Sequence, residues 1–369
     1  MSLLSAKKLY QINWMPIICL TLLSCIGFAM MVSAAGGHFS PWASRQIIRF
    51  VLAFVGMLLI AVTPASTLLR YSYPLYFVCL MVLVGIEVAG FMGKGAKRWV
   101  EVGGVNLQPS ELMKLAVILA LARYFHSNSN SDINHPLRLL PPLLLLVIPA
   151  AFILRQPNLG TATILMFVGA TLFFLAGVRS AYFITLIVLA LMAAPVGWHF
   201  LHDYQKQRVL TFLHPEEDPL GAGYNIMQSM IAIGSGGFFG KGYMNGSQGQ
   251  LDFLPEKHTD FIFTMIAEEF GFFGCAFVLL LYMVLIGYGV FTALRCRHLF
   301  GSLMAFGIAA MLFIHVAINM SMVMGLIPVV GVPLPLLSYG GSSMISMLLG
   351  FGLMQNAYVH RDSVVERRG

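Results

Sequence analysis

"NWMPIICLTLLSCIGFAMMVSAA", residues 13–35, contains no Asp, Glu, Lys or Arg. A helix of that length rises far enough to cross the hydrocarbon core of a bilayer, which takes about 20 residues. The stretch is also too long for the apolar region of a secretory signal. The chain returns to the same pattern again and again, so it reads as a first membrane span rather than a cleaved leader. The whole sequence agrees: 58% of its 369 residues are hydrophobic and 10% are charged, with a mean hydropathy of +0.82. A water-soluble domain has no use for so much apolar surface.

Windows of about 20 apolar residues give about ten spans, near 13–35, 47–64, 72–92, 109–125, 138–154, 160–177, 181–200, 270–292, 302–326 and 338–359. The expected fold is therefore an all-α polytopic integral membrane protein, one membrane domain over 1–369 with a long extracytoplasmic loop at 203–269. Pro141, Pro142 and Pro149 interrupt the region 109–154, and membrane helices tolerate proline. Trp14, Trp42, Trp99 and Trp198 fall near span ends, where amphipathic rings anchor at the interface.

Lys and Arg set the orientation. With the N-terminus in the cytoplasm, Lys7, Lys8, Arg70, Arg123, Arg138, Arg179, Arg295, Arg297, Arg361, Arg367 and Arg368 lie inside. Arg45, Arg49, Lys94, Lys97, Arg98 and Arg155 then lie outside and need a separate reason. An even span count puts both termini in the cytoplasm. The net charge of +7 fits this inner basic fringe and gives no reason to expect nucleic acid as a partner.

The loop 203–269 holds nine of the fifteen acids: Asp203, Glu216, Glu217, Asp218, Asp252, Glu256, Asp260, Glu268 and Glu269. Inner loops are only a few residues long, so no nucleotide-binding domain fits there. "IGSGGFFGKG" (233–242) is not a phosphate-binding P-loop, because Ser235 and Gly242 stand where that motif needs Gly and Ser or Thr. Its glycines read as tight turns. Chemistry on the outer face lacks ATP and must use a substrate that arrives activated. A lipid-linked diphosphate suits that role, with its tail between helices and its head group at the loop.

Charges inside the spans are the next signal. In "QPSELMK" (108–114), Pro109 and Ser110 start a helix, and Glu111 and Lys114 follow three apart on one face. Such groups face a protein interior or a watery cavity. They read either as a structural ion pair or as a pair that also lines a substrate cavity. Glu87 reads as a helix–helix hydrogen bond, and so do His315 and Asn319, which lack a third metal ligand. Cys19, Cys25, Cys79, Cys275 and Cys296 show no metal-binding or redox spacing. "PVVGVPLPLLSYGGS" (328–342) is too rich in Pro and Gly for regular helix and should line a cavity or lie buried.

In "FLPEKHTDFIF" (253–263), Asp260 stands at the lip of an apolar helix. It can serve as the N-cap of a helix starting at Phe261, or as a chemical group.

Several strings occur in one order: "KRWV" (97–100), "QPSELMK", "QPNLGTA" (156–162), "DYQKQRV" (203–209), "DPLGAGYNIMQSMIAIGSGG" (218–237), "LPEKHTDFIF" (254–263) and "PVVGVPLPLLSYGGS". Together they resemble the SEDS family of bacterial shape, elongation, division and sporulation proteins, from about Arg45 to about residue 355. "DYQKQRV" and "GKG" are similar to its elongation branch. The resemblance implies ten transmembrane helices in the bacterial cytoplasmic membrane and a peptidoglycan glycosyltransferase that polymerises lipid II on the outer face. It implies a class B penicillin-binding protein as transpeptidase partner, beside other membrane proteins of the elongation complex. It assigns catalysis to Asp260 and carries the family's buried pair onto Glu111 and Lys114. One departure stands out: the family's "QPDLGT" reads Asn158 in place of the acid here. A role needing negative charge there is weakened, and a hydrogen-bonding role survives.

The implied reaction needs one general base, which takes the proton of an acceptor sugar 4-hydroxyl as it attacks the donor C1. Direct displacement then inverts C1, from an α-linked donor to a β-linked glycan. The diphosphate leaves as a stable anion and needs positive charge rather than an acid. Lys97, Arg98, Arg208, Lys241 and Lys114 are the candidate cations, and a divalent cation, Mg or Mn, would serve the same end. Glu268 is the reserve base, about 80° around an ideal helix from Asp260. A lipid II flippase would need the polar cavity but no base at its lip. A scaffold that only positions a penicillin-binding protein would leave the outer charges unexplained.

Overall fold

The computed structural model describes residues 11–89, 91–93, 96–102, 105–128, 133–200, 203–215, 221–251, 253–254 and 256–363. Among these, each expected span coincides with a helix: α1 (Trp14–Ala34), α2 (Trp42–Val62), α3 (Ala65–Ala89), α4 (Pro109–Ser127), α5 (Pro136–Arg155), α6 (Leu159–Leu175), α7 (Ser180–Phe200), α11 (Ile262–Arg295), α12 (Leu299–Val323) and α13 (Gly341–Val359). The prolines of α5 lie inside one continuous helix.

Six helices (α1, α2, α3, α5, α11 and α12) are long and apolar enough on their own to cross a membrane. Two apolar stretches, α6 and the first part of α7, are shorter. The remaining two, α4 and α13, owe their polarity to their position. Nearly every described residue of α4 is buried, against α3, α12, α5, α6 and α13. Interior helices can carry charges and amides because neighbouring helices satisfy them. Gln355 and Asn356 on α13 do this through carbonyls: Gln355 Nε2 donates to Asn13 O at 2.7 Å and Asn356 Nδ2 to Ile60 O at 2.9 Å. Peripheral helices turn apolar side chains outward instead, such as Met81 at 70% and Met192 at 72% exposed.

Two regions depart from the all-helical expectation. Strands β1 (Phe91–Gly93), β2 (Ala96–Val102) and β3 (Val105–Leu107) form an antiparallel meander between α3 and α4. Val100 faces Leu107, and Val102 faces Val105. The alternation of Val100, Val102, Val105 and Leu107 around a Gly-Gly pair is a hairpin signal, overridden by the search for long apolar runs. The outer loop is not structureless either. It contains α8 (Asp203–Leu213), α9 (Ala222–Ser235) and the single turn α10 (Ser247–Gln250). Helix α9 packs on α11, where Ser229 Oγ shares a 2.7 Å bond with Thr264 Oγ1 and donates at 2.7 Å to Val323 O.

Helix α11 is two helices in one. Gly271 breaks it with φ 64° and ψ −157°, a conformation that side chains oppose. Residues 262–269, before the break, are all buried, and the span expected from residue 270 begins where the break falls. Backbone groups freed by the break find partners in the glycine-rich loop. Phe272 N donates to Gly237 O at 2.9 Å, and Lys241 N and Gly242 N donate to Glu268 O and Glu269 O at 3.0 Å. The glycines of 233–242 are thus the turns that let one strand of chain cover a broken helix.

Candidate active site

The buried half of α11 begins at Ile262, with Phe261 as N-cap and no side-chain cap bond. Asp260 therefore does not cap the helix, which removes the structural explanation of its carboxylate. Its backbone is held from three sides. Asn319 Nδ2 donates to Asp260 O at 2.9 Å, Ser338 Oγ to Thr259 O at 2.6 Å and Tyr339 N to His258 O at 2.9 Å. Next to the carboxylate, Gly331 has φ 72°, and a Cβ there would stand 3.5 Å from Asp260 Oδ2. The Pro- and Gly-rich segment 328–342 is the wall of the site, as irregular backbone within a membrane protein requires.

Asp260 opens into a cavity of about 350 Å³, lined also by Glu111, Asn158, Arg208, Glu256 and His315. Its electrostatics come from helix ends. Gln108, Asn158 and Gly340, the N-caps of α4, α6 and α13, all line it. The start of α11 adjoins it at Asp260. Each N-terminus presents unpaired backbone N–H groups and a partial positive charge. Several together favour an anion. Gln108 N donates to Ser342 Oγ at 2.8 Å, tying the starts of α4 and α13 together.

Glu111 and Lys114 form an ion pair at 2.9 Å, 7% and 1% exposed. Glu111 lines the cavity and Lys114 lies behind it. The ammonium is also bound by His315 Nε2 at 2.8 Å, while His315 Nδ1 meets Met311 O at 2.6 Å. The carbonyl requires a proton on Nδ1, so Nε2 is the acceptor for Lys114. His315 and Asn319 are thus interhelical hydrogen-bonding residues. His315 adds an acceptor to the ion pair, and Asn319 holds the Asp260 backbone.

The other expected cations and the reserve base fall in different places. Arg208, half-buried, lines the cavity and donates to Val330 O at 3.3 Å. Lys241 and Glu268 do not line it. They pair with each other at 2.7 Å. Glu268, 1% exposed, also accepts from Ser247 Oγ at 3.1 Å and Gln248 N at 3.0 Å. This pair locks the glycine-rich loop to α11, a structural task that leaves Glu268 unsuited to act as a base and Lys241 away from any leaving group. The side chains of Lys97, Arg98 and Glu87 lie outside the described residues, although β2 carries their neighbour Trp99 to the cavity edge.

Some site residues escaped the sequence. Glu256 lines the cavity and accepts from Thr259 Oγ1 at 2.9 Å. Tyr339 lies there too, with Arg49 5.5 Å over its ring, which brings one of the unexplained outer basic residues to the site. Trp42 stacks on His258 at 4.1 Å rather than serving only as an interfacial anchor. The signals were present as outer Arg and Trp, but their partners are over 200 residues away in sequence. Among the described residues, no group of three or more His, Cys, Asp or Glu is placed to hold a metal ion.

The chain is 42% identical over 354 residues to peptidoglycan glycosyltransferase MrdB of Escherichia coli strain K12, covering 94% of each. It is 38% identical over 362 residues to stage V sporulation protein E of Bacillus subtilis strain 168, covering 96% of this chain and 98% of that protein. Among solved structures, it matches a chain of a peptidoglycan synthase complex that coordinates polymerization and crosslinking, with TM-score 0.84, 31% identity and coverage of 96% and 99%. It matches the rod shape determining protein RodA of Thermus thermophilus with TM-score 0.71, 28% identity and coverage of 96% and 98%. Residues 13–363 match the FtsW–RodA–SpoVE profile, described as cell cycle protein. With its polytopic helical fold, the chain belongs to the FtsW–RodA–SpoVE family, the SEDS proteins of bacterial membranes.

Proposed function

We infer that the chain is a peptidoglycan glycosyltransferase, as its relatives are named, and that it polymerises lipid II on the outer face of the cytoplasmic membrane. One observation carries the reading: Asp260, with its backbone fixed and its side chain free of capping duty, opens into a cavity that several helix N-termini make favourable to anions. Asp260 takes the proton of the acceptor 4-hydroxyl as that oxygen attacks C1 of the donor sugar. The C1–oxygen bond to the diphosphate breaks, the configuration inverts, and polyprenyl diphosphate leaves. Arg208 and the helix N-termini offset its charge. Glu111, neutralised from behind by Lys114, supports the cavity floor.

The donor set suits a divalent cation only in part, since Mg²⁺ commonly takes one or two carboxylates plus substrate phosphates. Asp260 and Glu256 would hold it, and it would add charge neutralisation at the diphosphate. A class B penicillin-binding protein is the partner, by analogy with the relative solved in a synthase complex. Both termini face the cytoplasm in this reading.

Purified protein incubated with lipid II, with products resolved on a gel, tests the function. Glycan strands from the wild type and none from Asp260→Asn support it. Movement of lipid II across liposomes without any polymer would instead favour a flippase.

A further inference from the structure

Among the polar side chains that line the cavity, two have a fully buried atom with no hydrogen-bond partner: Asn158 Nδ2 and Ser343 Oγ. Both residues are 8% exposed. A buried donor left unpaired is costly and calls for an explanation. Asn158 is the N-cap of α6, and its Oδ1 accepts from Thr161 N at 3.4 Å. Capping fixes the amide's orientation, because only the oxygen can accept, and so it points the NH₂ away from the cap. Ser343 lies in the first turn of α13, among backbone N–H groups with no intrahelical acceptor.

Two neutral donors thus sit at two helix N-termini that meet at one cavity. Positive helix ends and hydrogen-bond donors together select an anionic oxygen. The charged groups leave this role open. Lys114 is held by Glu111 and His315, Lys241 is held by Glu268, and Arg208 is the basic side chain that lines the cavity among the described residues.

We propose that Asn158 Nδ2 and Ser343 Oγ, with the first-turn amides of α6 and α13, form a subsite that binds phosphate oxygens of a polyprenyl diphosphate. The subsite rests on the functional reading above only for the identity of the lipid. Its residues bind the leaving group through hydrogen bonds rather than ion pairs. That arrangement favours release, because no buried ion pair has to be broken.

The test uses the full chain in detergent or nanodiscs, with sugar-free undecaprenyl diphosphate as probe and undecaprenyl monophosphate and a soluble N-acetylated disaccharide as comparisons. Asn158→Asp keeps the cap, since Asp and Asn cap alike, but replaces the donor with an anion. It should melt like the wild type and bind the diphosphate at least about 10-fold more weakly, the worth of a charge-assisted hydrogen bond. Ser343→Ala should weaken it about 5-fold. Disaccharide binding should not change. Unchanged diphosphate binding in both variants would mean that the donors serve only water and would overturn the proposal. A loss confined to the disaccharide would assign them to a sugar carbonyl and overturn it as well. If the wild type makes no glycan but Asn158→Asp loses diphosphate binding, the polymerase reading fails while the subsite stands.

Discussion

Asn319 on α12 donates to two carbonyls at once, Asp260 O at 2.9 Å and Val332 O at 2.8 Å. One buried amide therefore joins the base-bearing turn before α11 to the irregular wall of the cavity. The residue is fully buried, and its bonds fix where the Asp260 backbone lies without touching the carboxylate. Positioning and proton acceptance are separated in this site and can be tested apart.

Asn319→Ala leaves two buried carbonyls without a donor, each worth roughly 1–3 kcal/mol. Melting temperature should fall, and the polymerisation rate should fall further than the loss of folded protein accounts for. Lipid II affinity should change little. Normal kcat in the remaining folded protein would show that the bridge is structural only.

Asp260→Asn leaves that bridge intact, because Asn319 binds the main chain. The variant should fold and bind substrate normally, yet polymerise about 100-fold more slowly or worse, as expected for a lost general base. A rate near wild type would remove Asp260 from the chemistry. Glu256, which shares the cavity, would then be the carboxylate to examine, since Glu268 is occupied by Lys241.

Lys114→Met strands Glu111 as a buried charge and should cost about 3–5 kcal/mol of stability. Combining it with Glu111→Gln removes both charges and should recover most of the folded yield. Thermal melts of the three variants separate these outcomes, and a stable single Lys114→Met protein would contradict the buried pair.

Topology is tested at Asn245, an exposed residue of the glycine-rich loop. Ser247 serves less well, because its hydroxyl is bound by Lys241 and Glu268. Asn245→Cys should react with a membrane-impermeant thiol reagent in intact spheroplasts, and a cysteine at the C-terminus should not. The reverse labelling pattern would invert the orientation.

His298 caps α12 through Nδ1, which accepts from Gly301 N at 2.9 Å. Burial, with nearby His126 and His360, pushes its pKa down to about 4 from 6.5. The folded state therefore needs the neutral ring. Its contribution to stability is present above pH 6.5 and is lost as pH falls toward 4. Melting temperature should drop across that window, and His298→Asn, which keeps a cap, should drop less.

The membrane class, the ten helical spans and the importance of Asp260, Glu111 and Lys114 were legible because each is a local signal. An apolar run must cross the bilayer whatever surrounds it, and a charge within such a run demands a reason. The break at Gly271 and the β-meander left local marks too, in glycine placement and valine alternation, but long apolar runs dominated the reading. Other features depended on the tertiary structure. Lys241 looked like a cation for the substrate until folding set it against Glu268. Glu268 looked like a spare base until four residues closed around it. Asp260 looked like a cap until the helix began at Ile262. A side chain's type limits the bonds it can make, and its sequence neighbours fix the face of the helix it occupies. Which partner it meets is decided by segments far along the chain: Asn319 with Asp260, His315 with Lys114, and the starts of α4, α6 and α13 around one cavity. The sequence by itself determined that this chain crosses a membrane and carries a few costly charges within it, and only the packing of its helices decided which of those charges face a substrate and which are already satisfied by the protein.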